Sequence, residues 1–138
     1  PVFISHSSND KTLVESFIPY LTGSDIPIWY DKINIDYGAS IVKEIQKGIR
    51  NSGVVIFWIT NSFINSNWCS TELESFLTRI SAKNDLLILS LVDESVSNEV
   101  LPLIIQNKKY LRTNLQDRDQ LLYIANEIIP TIKKYYKN

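Results

Sequence analysis

Apolar and polar stretches alternate along the chain in a pattern that predicts short strands joined by amphipathic helices. The most apolar stretch is Val54–Ile59, which offers no polar face and is therefore typical of a central parallel strand covered on both sides. A second stretch of this kind spans 86–92 and predicts another central strand. Shorter strands are predicted at 2–4, at 26–30 and, as a small edge strand, at 109–111.

Helices are predicted between these strands because apolar residues recur there at helical spacing. The apolar faces of the longer predicted helices comprise Leu13, Val14, Phe17 and Leu21; Ile41, Ile45 and Ile49; Cys69, Leu73, Phe76, Leu77 and Ile80; and Leu121, Ala125, Ile128, Ile129 and Ile132. Asp10 is predicted to cap the first helix by accepting a backbone N–H, and the last helix is predicted to begin near Asp117. Polar connections are predicted at 60–62 and 65–67, ahead of the third helix.

Strands that alternate with helices predict crossover connections and one parallel sheet. The two most apolar strands belong inside the sheet, whereas Pro27 places the second strand at an edge. We therefore predict an α/β fold, a flavodoxin-like three-layer sandwich with a five-stranded parallel sheet in the order 2-1-3-4-5. In this order the connections leave strands one and three in opposite directions, so the loop at 5–9 and the segment leading to Glu72 should meet at a crevice.

Length and composition narrow the class of protein and its partners. The 138 residues and the 44% hydrophobic content predict one domain with a full core. With 14 Lys and Arg against 15 Asp and Glu, the net charge of −1 favours neither nucleic acid nor an anionic membrane as a partner. The single cysteine, Cys69, cannot form an internal disulfide. The single histidine, His6, with one cysteine as its only soft partner does not make a metal site, so we predict no metal and no cofactor.

The sequence also gives expectations about location and extent. No apolar run approaches the roughly 20 residues that span a bilayer, and no signal peptide is visible, so we expect a cytoplasmic protein. The chain starts at Pro1 and contains no methionine. Either an initiator methionine has been removed ahead of Pro1, or residues 1–138 are a single domain excised from a longer, multidomain protein. Because a strand begins almost at once, we expect the second.

Glu72 is the leading candidate for chemistry, since it follows a buried strand at the edge where open α/β sheets keep their sites. Trp68 lies four residues earlier, on the same side of the predicted helix. Position alone favours the simpler interpretation of an exposed glutamate near a helix N-terminus and a tryptophan that only packs. Position alone therefore does not assign a function to Glu72 and Trp68.

Two further loops offer polar groups to the predicted crevice. The serines of the loop at 5–8 could present hydroxyl and backbone N–H groups to a phosphate, or could only cap a helix. Asp31 and Asp36 flank the loop after the second strand, where Gly38 can adopt backbone angles that other residues avoid. Acidic groups beside a crevice suit a ligand, although solvated acids are also common in loops.

Two other functions of this fold are disfavoured by the residues at the strand ends. A response-regulator receiver needs an acidic pair after strand one and an aspartate after strand three, where this chain has Ser5-His6 and Thr60-Asn61. A flavodoxin would need a phosphate loop rich in threonine and glycine, and 5–9 contains no glycine.

Three segments, in order and at family spacing, resemble the TIR (Toll/interleukin receptor) domain family over essentially the whole chain. Residues 2–11, which read VFISHSSNDK, resemble the first conserved segment of bacterial and plant members of the family. The second strand, the BB loop and the next helix resemble 28–53, which reads IWYDKINIDYGASIVKEIQKGIRNSG. The segment that holds the glutamate of enzymatic members resembles 66–73, which reads SNWCSTEL.

The resemblance implies one of two functions. Some members are non-catalytic scaffolds, whereas others cleave NAD+ at the nicotinamide–ribose bond and give nicotinamide with ADP-ribose or a cyclic variant. Glu72 matches the catalytic glutamate of the second group, so we predict an NAD+ nucleosidase with Glu72 as its catalytic residue. Base transfer on a nucleoside or nucleotide is a weaker enzymatic alternative.

The resemblance implies that Ser7, Ser8 and Asp36 approach the dinucleotide and that Trp68 forms a wall of the pocket. Asp31 and Gly38 join the predicted substrate-binding residues through their position on the loop at 31–39. Enzymatic relatives from animals carry arginines where Ser7 and Ser8 stand, so the phosphate contacts of this chain would have to differ. The loop at 31–39 lacks the proline that many scaffolding receptors place beside the glycine, which slightly favours the enzymatic interpretation.

Partners follow from the same resemblance. We predict NAD+ as substrate, self-association through TIR–TIR contacts of the loop at 31–39, and a sensor or regulatory domain on the same full-length chain. The predicted role is that of an effector in bacterial immune (antiviral) or stress signalling, switched on by assembly.

Overall fold

Five parallel strands form the sheet of this protein. The computed structural model describes residues 1–29, 53–65, 78, 86–101, 103–106 and 110–137. The strands are β1 (Val2–Ser5), β2 (Ile28–Trp29), β3 (Val54–Ile59), β4 (Leu87–Asp93) and β5 (Leu111–Thr113). Their order is β2-β1-β3-β4-β5, and all four pairings are parallel, so the predicted fold class is confirmed.

The helices of the described residues lie between and after these strands. They are α1 (Lys11–Thr22), α2 (Asn61–Asn65), α3 (Leu103–Gln106) and α4 (Leu121–Lys137). Three 3-10 turns precede or link them, at Ser8–Asp10, Asn98–Val100 and Arg118–Gln120. The predicted helix over Ile41 to Ile49 and the predicted helical stripe from Cys69 to Ile80 lie outside the described residues.

Strand β3 is the centre of the core because its side chains alternate between two apolar clusters. Val54, Ile56 and Trp58 pack on one side of the sheet, against α1 and α4. The intervening side chains, Val55, Phe57 and Ile59, pack on the other side with Phe63 of α2 and Ile105 of α3. All six residues of β3 are buried, as its unbroken apolar run predicts.

The remaining strand positions follow the hydrophobic pattern with small shifts. Strand β4 lies between β3 and β5, and β2 lies at the edge, as predicted. Strand β5 begins at Leu111, so the prediction of 109–111 was placed too early along the chain. Leu111 pairs with Leu91 of β4, and this register carries the strand on to Thr113, which the apolar pattern alone does not mark.

Three local predictions were wrong. The Asp10 side chain accepts no hydrogen bond from the backbone at the start of α1; Ser7 instead caps the 3-10 turn ahead of it, accepting from the Asn9 N–H at 3.2 Å. The polar segment after β3 contains a short helix that was not predicted, since α2 begins at Asn61 and includes Asn65 of the predicted loop at 65–67. The last helix begins at Leu121 after a 3-10 turn that Asp117 caps, four residues later than predicted.

Asp93 holds the turn between β4 and the residues that lead to α4. It is 2% exposed, and one carboxylate oxygen accepts from the Leu115 N–H at 2.7 Å. The other oxygen accepts from the backbone N–H of Ser95 at 3.3 Å and from the Ser95 hydroxyl. One carboxylate therefore ties two separate chain segments to the end of β4.

Replacing Asp93 by alanine is expected to lower the free energy of unfolding by about 2–3 kcal/mol, because the buried Leu115 N–H loses a charged acceptor. Urea unfolding at neutral pH measures the change. Asp117→Ala is the matched control, since Asp117 also accepts one backbone N–H, from Asp119 at 2.9 Å, at a more exposed position. Equal losses for the two variants would contradict the role of Asp93.

Candidate functional site

Polar residues collect at the carboxyl end of the sheet, where β1, β3 and β4 finish. Ser5 and His6 stand at the end of β1, Thr60 and Asn61 follow β3, and Asp93 ends β4. The sheet order changes direction between β1 and β3, which is the place where open α/β sheets bind ligands. The described polar residues therefore lie at the predicted crevice.

The buried centre of this region is a hydrogen bond between two loops. The Thr60 hydroxyl donates to Asp10 at 2.6 Å, joining the end of β3 to the start of α1. Thr60 is 1% exposed and Asp10 is 3% exposed. The same hydroxyl oxygen accepts from the Phe63 N–H at 3.2 Å and so caps α2. Thr60 thus fixes both the contact with Asp10 and the start of the helix.

Two more exposed contacts tie α2 to its neighbours. The Asn9 side-chain amide donates to the Ser62 hydroxyl at 3.4 Å. On the other side of α2, the Asn61 amide donates to the Ser95 hydroxyl at 3.1 Å and to the Ser95 carbonyl at 3.4 Å. The loop after β1 and the segment after β3 therefore meet, as the predicted strand order requires.

Ser7 and Ser8 are the two predicted substrate-binding residues that the structure describes. Ser7 is buried and its hydroxyl oxygen accepts from the Asn9 N–H, whereas Ser8 is half-buried and begins the 3-10 turn. Both stand on the loop that contacts α2. The other predicted site residues lie outside the described residues, and their roles stay predictions: Glu72, Trp68, Asp31, Asp36 and Gly38.

His6 has a structural place next to these serines. Its Nδ1 lies 3.1 Å from the Ile4 carbonyl, and because a carbonyl only accepts, Nδ1 carries the proton. Burial lowers the pKa of His6, and the Ile4 carbonyl and the charges of Asp10 and Glu15 oppose this effect. His6 is therefore held as a neutral imidazole with a fixed tautomer, which argues against a role as a general acid at neutral pH.

Burial raises the pKa of the Asp10 carboxyl above its ordinary value of 3.8, and the charge of Asp93 adds to this rise. The hydrogen bond from Thr60 acts in the opposite direction, as does the positive charge that His6 carries when its imidazole is protonated. The folded protein consequently binds the Asp10 proton more tightly than the unfolded chain does.

This shift predicts a pH effect for Asp10→Asn. Between pH 3.8 and the raised folded-state pKa, the native state binds more protons, so the Asp10 contribution to the free energy of unfolding falls as pH rises. Asparagine removes that contribution. The variant should therefore gain stability relative to the parent protein as pH rises through this window, measured by urea unfolding at several pH values. Parallel pH profiles would contradict the shift.

Sequence reasoning missed the Asp10–Thr60 pair. Thr60 did offer a signal, because a threonine directly before a polar-polar-apolar run is a usual helix start. Asp10 offered none that pointed to Thr60, since the two residues stand 50 positions apart and meet only through the sheet order.

Two general properties concern the described residues alone. They contain no group of three or more His, Cys, Asp or Glu that could hold a metal ion. Among the helices that the structure describes, none is long and apolar enough to cross a membrane.

Comparison with known proteins gives a family and several relatives. The model of a family described as TIR domain matches residues 2–122. NAD(+) hydrolase TcpC of Escherichia coli O6:H1 is 30% identical over 99 residues, covering 71% of this chain and 32% of that protein. The 2' cyclic ADP-D-ribose synthase BtTIR of Bacteroides thetaiotaomicron is 29% identical over 123 residues, covering 87% of this chain and 42% of that protein.

A third relative is a receptor. Human Toll-like receptor 6 is 32% identical over 132 residues, which cover 90% of this chain and 17% of the receptor. The chain therefore spans less than half the length of each of these relatives.

Solved structures agree on the fold. A metazoan TIR-STING receptor from C. gigas superimposes with a TM-score of 0.61 at 15% identity, covering 90% of this chain and 38% of that one. The TIR domains of the activated Roq1 resistosome superimpose with a TM-score of 0.53 at 24% identity, covering 91% and 82%. At these identities the likeness establishes the α/β architecture and nothing further.

Proposed function

Because this chain belongs to the TIR domain family, as its motifs predict, we propose that it cleaves NAD+ at the bond between nicotinamide and ribose. The products would be nicotinamide and either ADP-ribose or a cyclic ADP-ribose variant. The observation that carries the proposal is the similarity, at about 30% identity, to bacterial relatives named as an NAD(+) hydrolase and a 2' cyclic ADP-D-ribose synthase.

Glu72 is the proposed catalytic residue. It follows α2 along the chain, and the start of α2 is held at the carboxyl end of β3 beside the loop that carries Ser7 and Ser8. Ligands of open α/β sheets bind at this edge, where strand order reverses. The fixed start of the segment thus supports a position for Glu72 at the crevice.

One carboxylate suits the proposed reaction. Nicotinamide leaves NAD+ as a neutral group, so the bond breaks without a general acid. Positive charge then develops on the ribose in an oxocarbenium-like transition state, as in glycoside cleavage. A fixed carboxylate in a site that excludes water stabilises that charge strongly. Water, or a nucleophile within the substrate, completes the reaction.

The remaining site residues have proposed binding roles. Ser7 and Ser8 would offer hydroxyl or backbone N–H groups to the phosphates of the dinucleotide, and Trp68 would form a wall of the pocket. Asp31, Asp36 and Gly38 would contribute from the loop at 31–39. Ser7 and Ser8 stand on the loop that contacts α2, which supports a shared pocket with Glu72.

The wider role is also part of the proposal. We place the chain as one domain of a longer cytoplasmic protein that carries a sensor or regulatory domain. Assembly through the loop at 31–39 would switch on the enzyme in bacterial immune or stress signalling.

The test is NAD+ consumption by the purified protein, both dilute and artificially clustered. We expect turnover that rises on clustering, with nicotinamide released. Mass spectrometry of the other product separates ADP-ribose, a cyclic variant and the product of base transfer. Absence of NAD+ loss in the clustered sample would overturn the proposed activity.

A non-catalytic scaffold is the second candidate function, and the similarity to human Toll-like receptor 6 over 90% of the chain favours it. A scaffold would bind other TIR domains without consuming NAD+. Its binding would be lost on substitution near Gly38 and would be unaffected by Glu72→Ala, measured as affinity for a second TIR domain.

A further inference from the structure

The start of α2 is capped by a single hydroxyl group that makes two hydrogen bonds. The Thr60 hydroxyl donates its proton to Asp10 at 2.6 Å, and its oxygen accepts from the Phe63 N–H at 3.2 Å. A hydroxyl has one proton, so Asp10 decides which way the Thr60 hydroxyl points. The acceptor lone pair of Thr60 faces the helix because the proton faces Asp10.

The location of this pair explains why an acceptor is needed. Thr60 is 1% exposed, so its hydroxyl cannot donate to bulk water. A buried donor without a partner is costly, and a carboxylate gives a short, charge-assisted bond. Asp10 in turn is the last residue of the 3-10 turn Ser8–Asp10, which begins three residues after the end of β1.

Among the hydrogen bonds between side chains that hold α2 in the described part of the chain, the Asp10–Thr60 bond is the buried one, and it adds to the apolar packing of Phe63. The Asn9–Ser62 and Asn61–Ser95 contacts are exposed to solvent, and water can replace either partner. The Asp10–Thr60 bond joins the loops after β1 and β3, which border the crevice on its two sides. Burying a carboxylate costs free energy, and that cost is high for capping one short helix. This points to a role in holding α2 in a defined position, beyond the stability of the helix.

We propose that Asp10 and Thr60 are positioning residues, which hold the segment from α2 towards Glu72 against the loop that carries Ser7 and Ser8. The inference rests on the proposed NAD+ cleavage for its catalytic consequence. Neither residue touches the substrate in this role. Thr60 acts through the helix that it caps, and Asp10 acts through Thr60.

The first experiment compares Thr60→Val, which keeps the shape and removes the hydroxyl, with Thr60→Ser, which keeps the hydroxyl. For clustered protein we expect Thr60→Val to lower kcat by about 10- to 100-fold with little change in KM, because small misplacements at a reacting centre are costly. Thr60→Ser should stay within about threefold of the parent. Asp10→Asn, which can still accept one neutral bond, should fall between them.

Thr113→Val is the matched control, since Thr113 also ends a strand and donates from its hydroxyl, to Gln120 at 3.4 Å. This variant should leave kcat and KM unchanged. Urea unfolding of every variant separates lost activity from lost folded protein. A fall in kcat for Thr113→Val as large as for Thr60→Val, or equal activity of Thr60→Val and Thr60→Ser, would overturn the positioning role.

The second experiment needs no turnover. Hydrogen–deuterium exchange is compared for peptides covering 61–77 and for α4 in the parent, Thr60→Val and Thr60→Ser proteins. We expect Thr60→Val to speed exchange at 61–77 and to leave α4 unchanged. If the parent protein does not consume NAD+, the proposed function fails while this comparison still decides whether the pair holds the segment. Unchanged exchange at 61–77 would overturn the inference even in an active enzyme.

Discussion

Glu72→Gln is expected to reduce NAD+ cleavage by about 10²- to 10³-fold in kcat, the largest loss that we predict for any single site residue. Glutamine keeps the size and most hydrogen-bonding capacity of glutamate, so substrate binding and KM should change little. It removes the negative charge that would stabilise the cationic ribose in the transition state. A loss confined to kcat is the signature of an interaction made in the transition state.

The measurement is steady-state nicotinamide release by clustered protein at saturating NAD+. Glu74→Gln is the matched control, because residues two apart on the predicted helix would not face the same side, and the substitution changes the same charge. We expect Glu74→Gln to retain the activity of the parent. Equal activity of Glu72→Gln and Glu74→Gln would remove Glu72 from the mechanism and leave the enzyme without its proposed carboxylate.

Trp58→Ala is expected to lower the free energy of unfolding by about 3–5 kcal/mol, the largest loss of stability that we predict. Trp58 is fully buried in β3, and its ring lies 5.3 Å from that of Phe17 between centroids, at an angle of 55°. Alanine would leave a cavity between the sheet and α1 that the surrounding strands cannot collapse to fill.

Trp58→Phe should be far milder, at about 1–2 kcal/mol. Among the described residues the indole N–H of Trp58 finds no hydrogen-bond acceptor, so phenylalanine loses volume and no hydrogen bond. Urea unfolding measures both variants, with Leu122→Ala as a control because Leu122 is 53% exposed on α4. A loss for Trp58→Phe that equals the loss for Trp58→Ala would show that the indole N–H has a partner.

The central sheet could be predicted from the sequence because its signal is local. Six consecutive apolar residues, Val54–Ile59, leave no solvent-facing side, and this alone identifies a strand between two layers. Pro27 marks the edge strand because proline has no backbone N–H to donate to a neighbouring strand. From these two features and the alternation of elements, the strand order followed, and with it the crevice between the ends of β1 and β3.

The details that failed depend on partners distant in the chain. Asp10 precedes a helix and fits a cap, but its side chain turns to Thr60, which only the β1–β3 pairing brings near. The extent of β5 is set by its register with β4 and not by its own apolarity. Ile124 of α4 is buried although the predicted stripe did not include it, because α1 packs across that face.

The features of the candidate site also fall into two groups, those that strand order predicts and those that rest on the family motif. The loop with Ser7 and Ser8 and its contact with the segment after β3 followed from strand order, and the structure confirms both. Glu72 was a weak candidate by position and became the leading one through the family motif. Its geometry stays a prediction, as does that of Trp68 and of the loop at 31–39.

Strand β1 lies inside the sheet, between β2 and β3, although it is made before either of them. Val2 pairs with Ile28 on one side and with Val54 on the other. On a ribosome that adds about 5–20 residues per second, β1 would wait a few seconds with an unpaired edge before β3 emerges. During synthesis β1 can therefore be paired on both of its edges only after residues 54–59 have left the ribosome.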